Sequence, residues 1–135
     1  MAPNTFEDWL EVSRERQEDA RALLSRKQSV GPVYMAGYAI EAALKAFLKS
    51  INKEFPKKGN EGHNLIGLWE QAGFKRRDLK DKSGEKAFFI DVWKSNIRYE
   101  ISLDELDIWD SDSLVNAAGV LSGWIKTQIR RKRRK

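Results

Sequence analysis

The sequence predicts an all-α fold, an antiparallel bundle of four to five helices, and three observations carry that expectation. The stretch from Val33 to Ser50, VYMAGYAIEAALKAFLKS, is apolar around most of a helical circumference. Segments starting near Phe6 and near Leu114 repeat apolar residues at three- and four-residue spacing, the period of an amphipathic helix. No segment alternates long enough to read as a reliable strand.

The central stretch carries two apolar stripes. One holds Ala36, Ile40, Ala43, Leu44, Phe47 and Ile51, the other Tyr34, Gly37, Tyr38, Leu44 and Leu48. A helix this apolar must be covered by neighbours, and its alanines and Gly37 let them approach closely. Val33 to Ile51 spans about 28 Å at a rise of about 1.5 Å per residue. Glu41 is the exception, because a carboxylate on a buried helix needs a partner or a raised pKa.

In chain order, residues 1–4 read as a disordered lead. Thr5, with Asp8 three places on, is an N-cap with an acid in the first turn. The helix that follows turns Phe6, Trp9, Leu10, Ser13, Gln17, Ala20, Leu23 and Leu24 inward. Ser13 and Gln17 interrupt that stripe, the mark of a wet seam or an interface. Glu11, Arg14, Glu15, Glu18, Asp19 and Arg21 form a solvated mixed-charge face. Residues 29–32, SVGP, break the helix and place Pro32 in the first turn of the central one.

A polar loop, NKEFPKKGNEGHN, follows Ile51. His63 and Asn64 then open a short helix, LIGLWEQA, which Gly73 ends. FKRRDLKDKSG is a connection with room for one helical turn. Ser83 caps a helix through EKAFFIDVWKS whose buried face draws on Ala87, Phe88, Ile90, Val92 and Trp93. NIRY, residues 96–99, ends it. EISLDELDIWDSD fits neither period and reads as an ordered loop. Ser111 or Asp112 caps the last helix, with an inward stripe of Leu114, Ala117, Ala118, Leu121, Trp124, Ile125 and Gln128. The organisation expected is a single domain over residues 1–129 and a disordered basic tail over 130–135.

A chain of 135 residues suits one domain with a real core. It has no cysteine, which excludes disulfides and thiolate metal sites, and its single histidine argues against a histidine-rich metal site or a Ser/His/Asp triad. No metal and no cofactor are expected. The lack of cysteine agrees with a reducing cytoplasm, and the opening MAPNTFEDWLEV has acids where a signal peptide is basic. No apolar run approaches the roughly 18 residues of a membrane span. A cytoplasmic protein without a membrane partner is therefore expected.

The net charge of +5 is unevenly placed. The last ten residues, KTQIRRKRRK, carry seven basic groups and no acid, so the +5 total less seven leaves the other 125 residues at −2. Within that body Lys75, Arg76 and Arg77 form a basic patch, and Glu100, Asp104, Glu105, Asp107, Asp110 and Asp112 an acidic one. Neither GNEG nor SVGP has the strand, the spacing or the Lys-Ser/Thr of a phosphate-binding loop.

The chain nevertheless has a recognisable order: Trp9-Leu10 with Leu23-Leu24 near the end of the first helix, then YMAGYAIEAALKAFL, then GHNLIGLW, then a helix ending in Arg98-Tyr99. In this it resembles the HEPN domain family from Phe6 to Lys126, although HNL stands where the family more often has HDL. The resemblance implies a four- or five-helix bundle that dimerises, found among toxins, antiviral nucleases and partners of small nucleotidyltransferases. It also implies, for the family's RNases, an Arg followed after four to six residues by a His, with two subunits bringing these motifs into one cleft. Arg98 and Tyr99 stand where that motif begins, but the continuation YEISLDEL has no histidine. His63 reads as a capping group at a helix start, with Lys58 the nearest preceding cation at such a spacing. Arg98 either pairs with Glu41 across the core or binds a phosphate in an inherited cleft, with the pairing preferred.

Two functions follow. The first is a catalytically degenerate HEPN-like homodimer that binds RNA or a protein partner, such as a nucleotidyltransferase, in a toxin–antitoxin or phage-defence setting. Its RNA-binding residues are Lys75, Arg76 and Arg77, together with the tail residues Arg130, Arg131, Lys132, Arg133, Arg134 and Lys135. The second is a metal-independent RNase toxin in which Arg98 supplies the cation and Glu100 or Asp104 the base. A divalent-metal site among the acids at 100–112 is discounted, because acids this close in a loop cap a helix or meet a basic partner.

Overall fold

The computed structural model describes residues 2–24, 30–55, 65–81, 84–91, 93 and 111–133. Among them every regular element is helical: α1 (Phe6–Leu24), α2 (Val30–Ser50), α3 (Leu65–Gln71), a 3-10 turn (Arg76–Leu79), α4 (Glu85–Asp91) and α5 (Ser111–Arg133). The all-α bundle read from hydrophobic period is the fold observed.

The start of α1 is a capping box. The Asp8 amide donates to Thr5 Oγ1 at 3.1 Å, and the Thr5 amide donates back to Asp8 Oδ2 at 3.2 Å. The Asn4 amide donates to the same carboxylate oxygen at 3.0 Å. These amides hold the Asp8 carboxyl below its ordinary pKa. The lead before α1 is thus tied back at Asn4, where the sequence reading expects disorder.

Helix α2 is the hub. Val33, Ala36, Ala39, Ile40, Ala43, Leu44, Ala46 and Leu48 are all fully buried, because α1, α3 and α5 pack around it. Ser13 lies against Ala39 on α2, and Lys45 lies over the Trp9 ring, so α1 and α2 run in opposite directions. Gln17 bonds to Val115, and Arg133 sits over Phe6, so α1 is antiparallel to α5 as well. Helices α2 and α5 accordingly run the same way.

The polar gap in α1 is not an open seam. Ser13 is fully buried and its hydroxyl donates to the Ala39 carbonyl at 2.7 Å, while the Gln17 amide donates to the Val115 carbonyl at 3.1 Å. A small hydroxyl at position 13 lets α2 approach and satisfies a backbone oxygen there. This corrects the reading of Ser13 and Gln17 as an interface: both face other helices of the same chain.

The ends of α3 and α4 show how local sequence closes a helix. Gly73, at φ 81°, follows α3; its amide donates to Glu70 O at 2.9 Å and that of Phe74 to Trp69 O at 3.3 Å. These are the two hydrogen bonds of a Schellman motif, completed by the Trp69 and Phe74 rings at 5.0 Å between centroids. The expected helical turn in FKRRDLKDKSG is the 3-10 turn, with the Lys75 amide donating to Asp78 at 2.8 Å. Helix α4 is capped by Asp81, whose carboxylate accepts from the Lys86 and Ala87 amides at 3.2 and 2.8 Å; Ser83, the expected cap, lies outside the described residues. The buried face of α4 includes Phe89, fully buried and absent from the expected stripe, whereas Val92 of that stripe lies outside the described residues. Residues 94–110, including NIRY and all but the last two residues of the stretch expected to be a loop, lie outside the described residues, and those two, Ser111 and Asp112, open α5.

Helix α5 buries Leu114, Ala117, Ala118, Leu121 and Ile125 as expected, and Val115, Ser122 and Ile129 besides. It continues through Arg133, so four of the six residues expected to form a disordered tail are helical. Ile129 is 2% exposed and anchors the last turns to the bundle, and the Arg133 guanidinium sits 4.4 Å from the Phe6 ring centroid. No helix among the described residues is long and apolar enough to cross a membrane.

Candidate functional site

The polar exception on α2 is a buried ion pair. Glu41 and Lys45 are each 5% exposed, one turn apart, and Lys45 Nζ donates to Glu41 Oε2 at 3.1 Å. The same ammonium lies 5.0 Å from the Trp9 ring centroid and 5.4 Å from that of Phe55. The two rings meet edge to face at 5.9 Å. Lys45 is therefore held by a carboxylate on one side and by aromatic rings on the other. Burying two charges is costly unless they are paired and hydrogen-bonded, and this geometry meets that need within a single helix.

The partner expected for Glu41 was Arg98, which lies outside the described residues, as do His63, Tyr99, Glu100 and Asp104. The sequence reading passed over Lys45 as that partner. The signal was present, a Glu followed four residues later by Lys on a helix, but spacing alone does not tell a buried pair from a solvated one.

Two sets of cations remain from the expected nucleic-acid residues. Lys75, Arg76 and Arg77 sit in and just before the 3-10 turn and are all exposed. Arg76 is committed to a two-pronged contact with the Asp91 carboxylate at the end of α4, which holds its guanidinium more firmly protonated. Lys75 and Arg77 keep their side chains at the surface. Phe74, next to Lys75, packs on Trp124 of α5 at 4.8 Å, so this turn emerges beside the middle of α5.

The second set is the end of α5. Arg130, Arg131, Lys132 and Arg133 are exposed and helical, whereas Arg134 and Lys135 lie outside the described residues. Helical order divides these cations between faces. Lys126, Arg130 and Arg133 recur at four- and three-residue spacing along the flank that meets α1, and Arg131 falls two turns after Trp124 on the flank that carries the Trp69, Phe74 and Trp124 rings. Lys126 is half-buried. Desolvation first, then the nearby charges of Arg14 and Arg130, lowers its pKa, with Glu11 acting in the opposite sense.

Among the described residues no group of three or more His, Asp or Glu side chains is placed to hold a metal ion. Fold and polar groups together define an all-helical domain with a charge pair locked into its hub and a helix that ends in a ladder of cations. The family model of the HEPN domain matches residues 6–128, and the chain belongs to that family. Neither a curated protein nor a solved structure matches it.

Proposed function

We propose that this HEPN domain is a catalytically degenerate member of its family that binds RNA or a protein partner as a homodimer, in a toxin–antitoxin or phage-defence setting. Family membership points to RNA cleavage or to association with a nucleotidyltransferase. The observation that carries the degenerate reading is chemical. The sole histidine, His63, precedes Arg98, and the six residues after Arg98 are Tyr, Glu, Ile, Ser, Leu and Asp, none of which exchanges protons near neutral pH as an imidazole does. Loss of a positioned acid/base group costs about two to four orders of magnitude in rate.

The cations of α5 support binding without cleavage. A helix presenting Arg130, Arg131, Lys132 and Arg133 offers several phosphate contacts in a fixed array, and such contacts give affinity independent of base sequence. Lys75 and Arg77 extend the basic surface from the 3-10 turn.

The deciding experiment incubates the full chain with mixed single-stranded RNA in EDTA, alongside a binding titration on the same RNA. Retention of intact RNA with salt-dependent binding is the expected result. Cleavage that Arg98→Ala abolishes would replace this proposal with the metal-independent RNase toxin, in which Glu100 or Asp104, two and six residues after Arg98, serves as base. Loss of cleavage with His63→Ala would make the lone histidine catalytic.

A further inference from the structure

We propose that the end of the bundle where α1 begins and α2 ends is a binding site for a small aromatic carboxylate, independent of any RNA or partner binding. A cavity of about 590 Å³ opens there, lined by Pro3, Asn4, Trp9, Lys45, Lys49 and Phe55 among others. That volume falls within the range that ordinarily holds a small organic ligand.

The lining defines the ligand. Trp9 and Phe55 supply aromatic walls, set edge to face at 5.9 Å, which favour a flat apolar body. Among the described residues the charged side chains that line the cavity are the ammoniums of Lys45 and Lys49, joined by the amide of Asn4 and the indole of Trp9, and none of these lining residues is a carboxylate. The charges are not equivalent. Lys45 is matched by Glu41 at 3.1 Å, whereas Lys49, one turn further along α2, has no carboxylate within ion-pair distance among the described residues and lies 5.8 Å from the Phe55 ring centroid. Among the described residues that leaves one positive charge without a carboxylate beside two aromatic rings, which suits a ligand with one negative charge and a ring, the chemistry of an aromatic monocarboxylate.

The wall on the third side is pinned. The amides of Asn4 and Thr5 both donate to the Asp8 carboxylate, so the short lead before α1 is held over the cavity. The site is thus built before a ligand arrives, which lowers the ordering cost of binding.

The test is calorimetric titration of the full chain with three probes of one shape: indole-3-acetate, its neutral amide indole-3-acetamide, and the cation tryptamine. Indole-3-acetate is expected to bind with a sub-millimolar Kd, the amide about tenfold more weakly, and tryptamine not at all. Lys49→Gln, at a partly exposed position, should weaken indole-3-acetate about tenfold while leaving the melting temperature unchanged. Phe55→Leu should weaken the acetate and the amide alike. Equal affinity for all three probes, undiminished binding by Lys49→Gln, or no binding of indole-3-acetate up to several millimolar would each overturn the proposal.

Discussion

Trp93 occupies the space that a side chain on Gly37 would need: a Cβ placed on Gly37 would lie 1.9 Å from Trp93 Cε2. The indole fits flat against the backbone of α2, with Tyr38 edge-on at 5.2 Å and Tyr34 stacked at 6.5 Å. Glycine in a helix interior usually costs stability, and here the bare backbone is what admits a tryptophan that is 3% exposed. Gly37→Ala should therefore destabilise the protein by about 1–3 kcal/mol, the range of overpacked cores, instead of stabilising the helix. Urea denaturation measures this. A gain in stability would mean that Trp93 does not rest on Gly37.

Ser13→Ala removes the hydroxyl that satisfies the Ala39 carbonyl in a fully buried seam. The expected loss is about 1 kcal/mol, the net worth of a buried neutral hydrogen bond. Because the seam lies within one chain, light scattering at two concentrations should give the same mass for wild type and variant. A change in mass would place Ser13 at a contact between subunits.

Truncation at two neighbouring points separates the fold from the cation ladder. Removing residues 130–135 leaves Ile129 in place, and the bundle should keep its cooperative unfolding while RNA binding loses affinity and salt slope. Removing Ile129 as well takes away a side chain that is 2% exposed, and Ile129→Ala alone should cost about 2–5 kcal/mol. Thermal melts of the two truncations should differ by several degrees. An unchanged salt slope in the shorter tail would assign the phosphate contacts to Lys75 and Arg77.

Lys126 carries its charge in a poor place, half-buried and near Arg14 and Arg130. Its pKa is lower in the folded than in the unfolded chain, so the unfolded chain binds more protons between the two values and stability rises with pH there. The penalty is in force at all pH values below the folded pKa. Lys126→Met should raise the melting temperature near pH 7, and its advantage over wild type should shrink as pH rises toward the ordinary lysine range. Equal melting temperatures at neutral pH would show that the ammonium reaches water freely.

Much of this protein was legible as a string of residues. The period of apolar side chains gives the helices, Thr5 with Asp8 gives the start of α1, and Gly73 gives the end of α3, because these features depend on groups within a few positions of one another. The family was legible too, through YMAGYAIEAALKAFL and the motifs on either side of it. What the sequence could not decide is which helix faces fill which gaps. Ser13 and Gln17 look like a breach in a stripe until α2 and α5 bring carbonyls to them, and Arg130 to Arg133 look like a loose tail until Ile129 docks. Glu41 calls for a partner in the sequence, and only the packing of Trp9 and Phe55 around the Lys45 ammonium shows Lys45, one turn on, filling that place in the core. Local hydrogen bonds and periodicity are set by neighbours in the chain; burial, ion pairing and the fit of Trp93 on Gly37 depend on residues many positions apart, and only the packed bundle brings those together.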